Sequence, residues 1–175
     1  MPRRSIFTDS ERESIFALPQ DNGNLIRLYS FSEADFSIIQ QHRGAANRLG
    51  FSVQLCYMRY PGIALPLESK PDAAILQMAS QQTNTNADEW LKYAQRAETR
   101  REHALEIQSV YGFKPFTNDQ IASAVNSLEG LAWQTDKGIV LAEAIVQHLR
   151  SQSILFPSLT VIERICAEPN TKTTS

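Results

Sequence analysis

No run of five residues in this sequence alternates Val, Ile or Thr with polar side chains, whereas apolar residues recur three and four apart along nearly the whole chain. A half-buried strand needs the first pattern and an amphipathic helix the second. The chain is therefore expected to be all-α. Helix punctuation supports the same reading. Thr8 with Glu11 three residues on forms a capping box opening a helix of about ten residues, which Pro19 closes. Asn24 is placed to cap the short segment LIRLYS, and Ser32 precedes EADFSIIQQHR, which ends at Gly44. From Ala45 to about Tyr60, Leu49, Val53, Cys56 and Tyr60 share one helical stripe.

The stretch IALPLESKPD, with Pro61 before it and Pro66 and Pro71 inside it, reads as a linker. Beyond it lie AAILQMASQQ, a polar turn TNTNAD, DEWLKYAQ and a long helix from Ala97 to Tyr111 stopped by Gly112. KPFTND is a second break, followed by QIASAVNSLEGLAWQ, DKGIVLAEAIVQHLRSQ and, after Pro157, SLTVIERICAE. Three groups of helices result. Residues 1–62 and 70–113 each hold short helices ending in one longer helix, the layout of tandem helix-turn-helix-like (homeodomain-like) modules. Residues 117–168 are expected to form a small helical bundle, and 169–175 a disordered tail.

The function classes narrow quickly. No window holds the roughly 18 to 20 apolar residues of a membrane span, and MPRRSIFTDSERES lacks a secretory core, so a cytoplasmic protein without a membrane partner is expected. Cys56 and Cys166, each inside an apolar helical pattern, read as buried free thiols. Nucleotide, hydrolase and zinc-protease motifs are absent, and no catalytic residue is assigned. His42, His103 and His148 lie in three different groups, so neither a metal nor another cofactor is expected. The carboxylate pairs Asp9/Glu13 and Glu98/Glu102 sit at i,i+4 and read as solvated helix faces.

Charge is more informative by position than in sum. The 175 residues carry a formal net charge of −2, yet residues 1–60 hold seven Arg and no Lys, while from 116 onward four basic residues face six acidic ones. An anionic partner is thus expected on the N-terminal two-thirds. Arg3 and Arg4 precede the first capped helix, as an arm for a minor groove or DNA backbone, or else as a solubilising terminus. Arg43, Asn47 and Arg48 gather at the start of the fourth helix, and Arg and Asn are the residues that bind guanine and adenine edges bidentately. The competing reading is a helix end covered by arginine stems. Arg96, Arg100 and Arg101, with Thr99, open the long helix; local ion pairs such as Arg96 with Glu89 are the alternative. On the DNA reading Arg43, Asn47, Arg48 and Gln54 face one groove segment and Arg96, Thr99, Arg100 and Arg101 the next. Trp90, Tyr93, Tyr111, Phe113 and Trp133 are expected in the core rather than as base-stacking platforms.

Taken in order, MPRRSIFTDSERESIFALP, SFSEAD, HRGAANRLGFSVQLCYMRYPG, RAETRREH, GFKPF, LAWQTDKGIVLAEAIVQHLRSQSILFP and SLTVIERICAE resemble the N-terminal region of transposases of Tn-three-type replicative transposons. The resemblance runs from residue 2 to about 168; in that family the region is a domain of unknown function. It implies helical modules that bind double-stranded DNA at the transposon's terminal inverted repeats, in a bacterial, nucleoid-associated setting. It further implies partnership with the remainder of the transposase or with a second copy. The family's RNase H-like domain and its three acidic metal ligands match no position here, so this chain is expected neither to cleave nor to join DNA. The family's proteins continue past EPNTKTTS, which implies a fragment or a separately encoded copy of the module. The alternative function is a helical protein-interaction or repressor-like regulatory module of the transposition system.

Overall fold

A computed structural model describes residues 7–15, 17–117, 119, 120, 123, 126, 138–158 and 160–166. The chain is all-α. Its helices are α1 (Asp9–Ile15), α2 (Asn22–Tyr29), α3 (Glu33–Gln40), α4 (Ala45–Arg59), α5 (Ala73–Thr83), α6 (Glu89–Ala94), α7 (Ala97–Tyr111) and α8 (Gly138–Ser151), with residues 160–166 also helical. Among the described residues the only β-type pairing is an isolated bridge between Lys114 and Ile154.

Local chemistry sets most of these ends. The Thr8 hydroxyl accepts from the Glu11 amide at 3.1 Å while Glu11 accepts from the Thr8 amide at 2.9 Å. Ser32 and Asp35 make the same reciprocal box at the start of α3. Gly112 ends α7 in a left-handed conformation. The cap of α2 is Asp21 rather than Asn24: its carboxylate accepts the Asn24 backbone amide at 3.0 Å, and the helix therefore starts three residues earlier than the sequence suggested. The hydrogen bond from Asn24 also lowers the Asp21 pKa.

Packing groups the chain differently from the expected boundaries. Leu18–Phe113 form one compact unit, and residues 1–17 with Lys114–Ser175 form another. In the first, α4 is the central helix and packs against α2, α3, α5, α6 and α7. Every residue from Leu49 to Met58 is buried, so the helix is enclosed on all sides rather than along one stripe. The expected linker is part of this unit: the Tyr57 hydroxyl accepts the Asp72 amide at 2.7 Å, and the carbonyls of Pro66 and Leu67 are held by Arg100. Asp35 ties three helices together, accepting from Arg59 on α4 at 2.7 Å and from the Tyr111 hydroxyl on α7 at 2.8 Å.

In the other unit α1 packs on α8, and Arg12 pairs with Glu163. Leu141, Ala142, Ile145, Val146 and Leu149 form the buried stripe of α8. Lys114 donates its amide to Ser153 and accepts that of Leu155, both at 2.8 Å. Most of QIASAVNSLEGLAWQ, with Trp133, lies outside the described residues, as does the tail 169–175. Cys56 and Cys166 are free and buried, as expected, and burial pushes both thiols up to about 12.

Candidate nucleic-acid interface

The two longest helices of the Leu18–Phe113 unit, α4 and α7, begin alike. Gly44, at φ 86° and ψ 150°, leads into α4, and Arg96, at φ −96° and ψ 66°, leads into α7; neither supplies a side-chain cap. The first amides of a helix have no intrahelical acceptor, and together with the helix dipole they favour an anion. A residue with a Cβ is strained at a φ near that of Gly44. These two starts, distant in sequence, meet through one contact: Arg96 Nη1 donates to Asn47 Oδ1 at 2.8 Å across 49 positions.

The cations around that contact are not neutralised internally. Arg43, Arg96 and Arg101 are exposed, and Asn47, Arg48 and Thr99 half-buried. Among the described residues, Arg43, Arg48, Arg96 and Arg101 form no ion pair with a carboxylate, while Arg12 and Arg59 do. Glu89, the expected partner of Arg96, instead pairs with Lys92 at 3.4 Å. Arg48 turns to another side, lining a groove of about 470 Å³ with Phe36, Ile39 and Gln40 of α3 and Gln82–Asn84 at the end of α5. Arg101 lines a hollow of about 210 Å³ with Pro66, Leu67 and Ala104. The structure thus brings Asn47 and Arg96 together, and sets Arg48 and Arg101 in separate depressions. Arg3 and Arg4 lie outside the described residues.

Two expected groove-facing residues are in the core. Gln54 is 3% exposed and donates from Nε2 to the Tyr93 hydroxyl at 2.7 Å and to the Arg100 carbonyl at 3.1 Å. Arg100 is 2% exposed; its guanidinium donates to the carbonyls of Leu67 at 2.8 Å, Ala94 at 3.3 Å and Pro66 at 3.3 Å. Its carbon stands 5.3 Å from the centre of the Trp90 ring, and burial lowers its pKa. Through these bonds Arg100 ties Pro66 and Leu67 to the end of α6. Its place was legible in part, because Arg100, His103 and Ile107 are spaced three and four apart and form the buried stripe of α7.

Sequence grouping also separated histidines that the fold unites. The His42 and His103 rings have centroids 4.5 Å apart, with Phe51 beside both. Tyr93 accepts from Gln54, and its hydroxyl lies at hydrogen-bond distance, 2.8 Å, from His103 Nδ1. Burial, and secondly the neighbouring His42, lower the His103 pKa to about 4. His42 Nε2 lies 3.0 Å from Glu106 Oε2. The group packs on the middle of α4 through Phe51 and Gln54. Among the described residues no group of three His, Cys, Asp or Glu side chains is arranged to hold a metal ion, and no helix is long and apolar enough to cross a membrane.

The family described as a domain of unknown function, DUF4158, matches residues 6–169. The chain belongs to that family. This DUF4158 chain is 53% identical over 98% of its length to the transposase for transposon Tn3926 of Escherichia coli. It is 51% identical over 98% of its length to the transposase for transposon Tn21 of Escherichia coli, and 44% identical over 96% to that for Tn501 of Pseudomonas aeruginosa. It spans 17% of the length of each of these relatives, and corresponds to their N-terminal region. The DUF4158 fold therefore recurs as the leading part of much longer transposases.

Proposed function

We propose that this chain is a double-stranded-DNA-binding region that engages the terminal inverted repeats of a transposon within a transposition system. One observation carries the reading. The uncapped starts of α4 and α7 are joined by the Arg96–Asn47 contact, beside arginines that no described carboxylate neutralises. Phosphates favour such a surface, since backbone amides, helix dipoles and unpaired guanidinium groups add their fields. The names of the relatives support transposon DNA as the partner over other polyanions. Arg43, Asn47 and Arg96 form the centre of the proposed contact, with Arg48, Thr99 and Arg101 as flanking phosphate contacts and Arg3 and Arg4 as an arm. Presentation of the two helix starts in helix-turn-helix fashion belongs to the same proposal. The catalytic part of a transposase, or a second copy, would be the protein partner.

The test is a titration of a Tn21 terminal-repeat duplex against a scrambled duplex across salt concentrations. Log affinity is expected to fall with log salt by about 0.9 per phosphate neutralised. Equal affinity for both duplexes, or no binding at low salt, overturns the reading.

A further inference from the structure

An asparagine amide recognises adenine with both of its faces: the oxygen accepts from N6 while the amino group donates to N7. In this fold the oxygen is already engaged. A guanidinium has five donors and no acceptor, so the atom facing Arg96 Nη1 at 2.8 Å must be Asn47 Oδ1; the flipped amide would set donor against donor. The Nδ2 group then faces away with two N–H bonds, and Arg96 adds its remaining N–H groups beside them. An adenine amino group approaching the same oxygen, by either lone pair, would place its own positive N–H dipoles next to a cation. A guanine edge meets no such obstacle, since N7 and O6 both accept, and neither does a phosphodiester oxygen.

We propose that Arg96 converts Asn47 into an all-donor surface, so that this part of the interface recognises acceptor-only groups, a guanine major-groove edge or a phosphate, and rejects adenine. The inference rests on the DNA-binding reading above. Arg96 here is a positioning residue for the Asn47 amide as well as a charge.

Binding of the whole chain to Tn21 terminal-repeat duplexes tests it, with 7-deazaguanine, 7-deazaadenine or methylphosphonate introduced one position at a time. In the unsubstituted chain, one 7-deazaguanine position, or one methylphosphonate, is expected to weaken binding about tenfold to a hundredfold if a base edge is lost, less if a phosphate is. That loss disappears in Asn47→Ala, and the two substitutions separate the guanine source from the phosphate source. No 7-deazaadenine effect is expected to depend on Asn47. Asn47→Asp keeps the partner of Arg96 but removes the donors, and is expected to lose the same contact; thermal unfolding of each variant reports that the fold persists. A 7-deazaadenine effect that Asn47→Ala abolishes overturns the proposal while leaving DNA binding intact. So does a set of substitutions none of which depends on Asn47. Absence of any preference for the repeat overturns the DNA-binding reading, and this inference with it.

Discussion

Gly50→Ala is expected to destabilise the Leu18–Phe113 unit, although alanine favours a helix over glycine by about 1 kcal/mol. A Cβ at Gly50 would stand 2.2 Å from both Cδ2 and Cε2 of Tyr93 and 2.3 Å from its Cγ. Carbon atoms pack best at about 3.5–4.0 Å, so the ring would have to retreat by more than an ångström. It has nowhere to go. Tyr93 is fully buried, its hydroxyl is bound to Gln54 and His103, and its ring leans on those of Trp90 and His103. Overpacking costs about 1–3 kcal/mol. Pulling the hydroxyl off its partners adds about 1–3 kcal/mol, because buried polar groups are left unmatched. Against the propensity gain, the net loss is about 1–5 kcal/mol. Urea unfolding of Gly50→Ala beside Gly23→Ala measures it, since the nearest atom to a Cβ at Gly23 is Asp21 Oδ2 at 3.5 Å. Gly23→Ala is expected to be neutral or slightly stabilising. Equal midpoints for the two variants would refute the close approach of α4 and α6.

Three further outcomes follow from buried polar groups. Arg100→Met should free the carbonyls of Pro66, Leu67 and Ala94, cost about 2–4 kcal/mol by loss of charged hydrogen bonds, and open residues 63–70 to limited proteolysis. Burial alone would raise the Asp35 pKa, but hydrogen bonds from Arg59, the Ser32 amide and Tyr111, with the Arg59 charge, hold it at about 2. A carboxyl lowered on folding stabilises above its unfolded pKa, so about 2 kcal/mol should be lost between roughly pH 4 and pH 2; Asp35→Asn should flatten that limb of the acid-unfolding curve. His103 works in a higher window. Its unfolded form gains a proton near pH 6.5 and its folded form near pH 4, so stability should fall by about 3 kcal/mol on acidification between them. His103→Gln keeps an acceptor for Tyr93 and should remove this slope; an unchanged slope would place the titration elsewhere.

What the sequence by itself determined is what depends on neighbours within about one helical turn. The boxes at Thr8 and Ser32 and the stop at Gly112 depend on residues within one turn and fold as written, whereas the single apolar stripe read for α4 became a helix buried on all sides. Even there, competition between Asp21 and Asn24 for the cap of α2 was close, since both side chains can accept a terminal amide. Proline signals at 61–71 marked an irregular segment correctly but could not say whether it parts two bodies or lies within one. That depended on Arg100 and Tyr57, whose bonds to it close only after α4, α6 and α7 have packed.

The interface shows the same division. Arginine abundance near the starts of α4 and α7 is plain in the sequence, but exposure of each arginine is not. Arg96 and Arg100, one turn apart, end on opposite terms with solvent, because the second points along the stripe of His103 and Ile107 into the core. Only tertiary structure decided that Gln54 braces Tyr93, that His42 meets His103, and that Asn47 meets Arg96. A side chain's hydrogen-bonding capacity is written in its type, whereas which partner consumes that capacity depends on elements brought together from far along the chain.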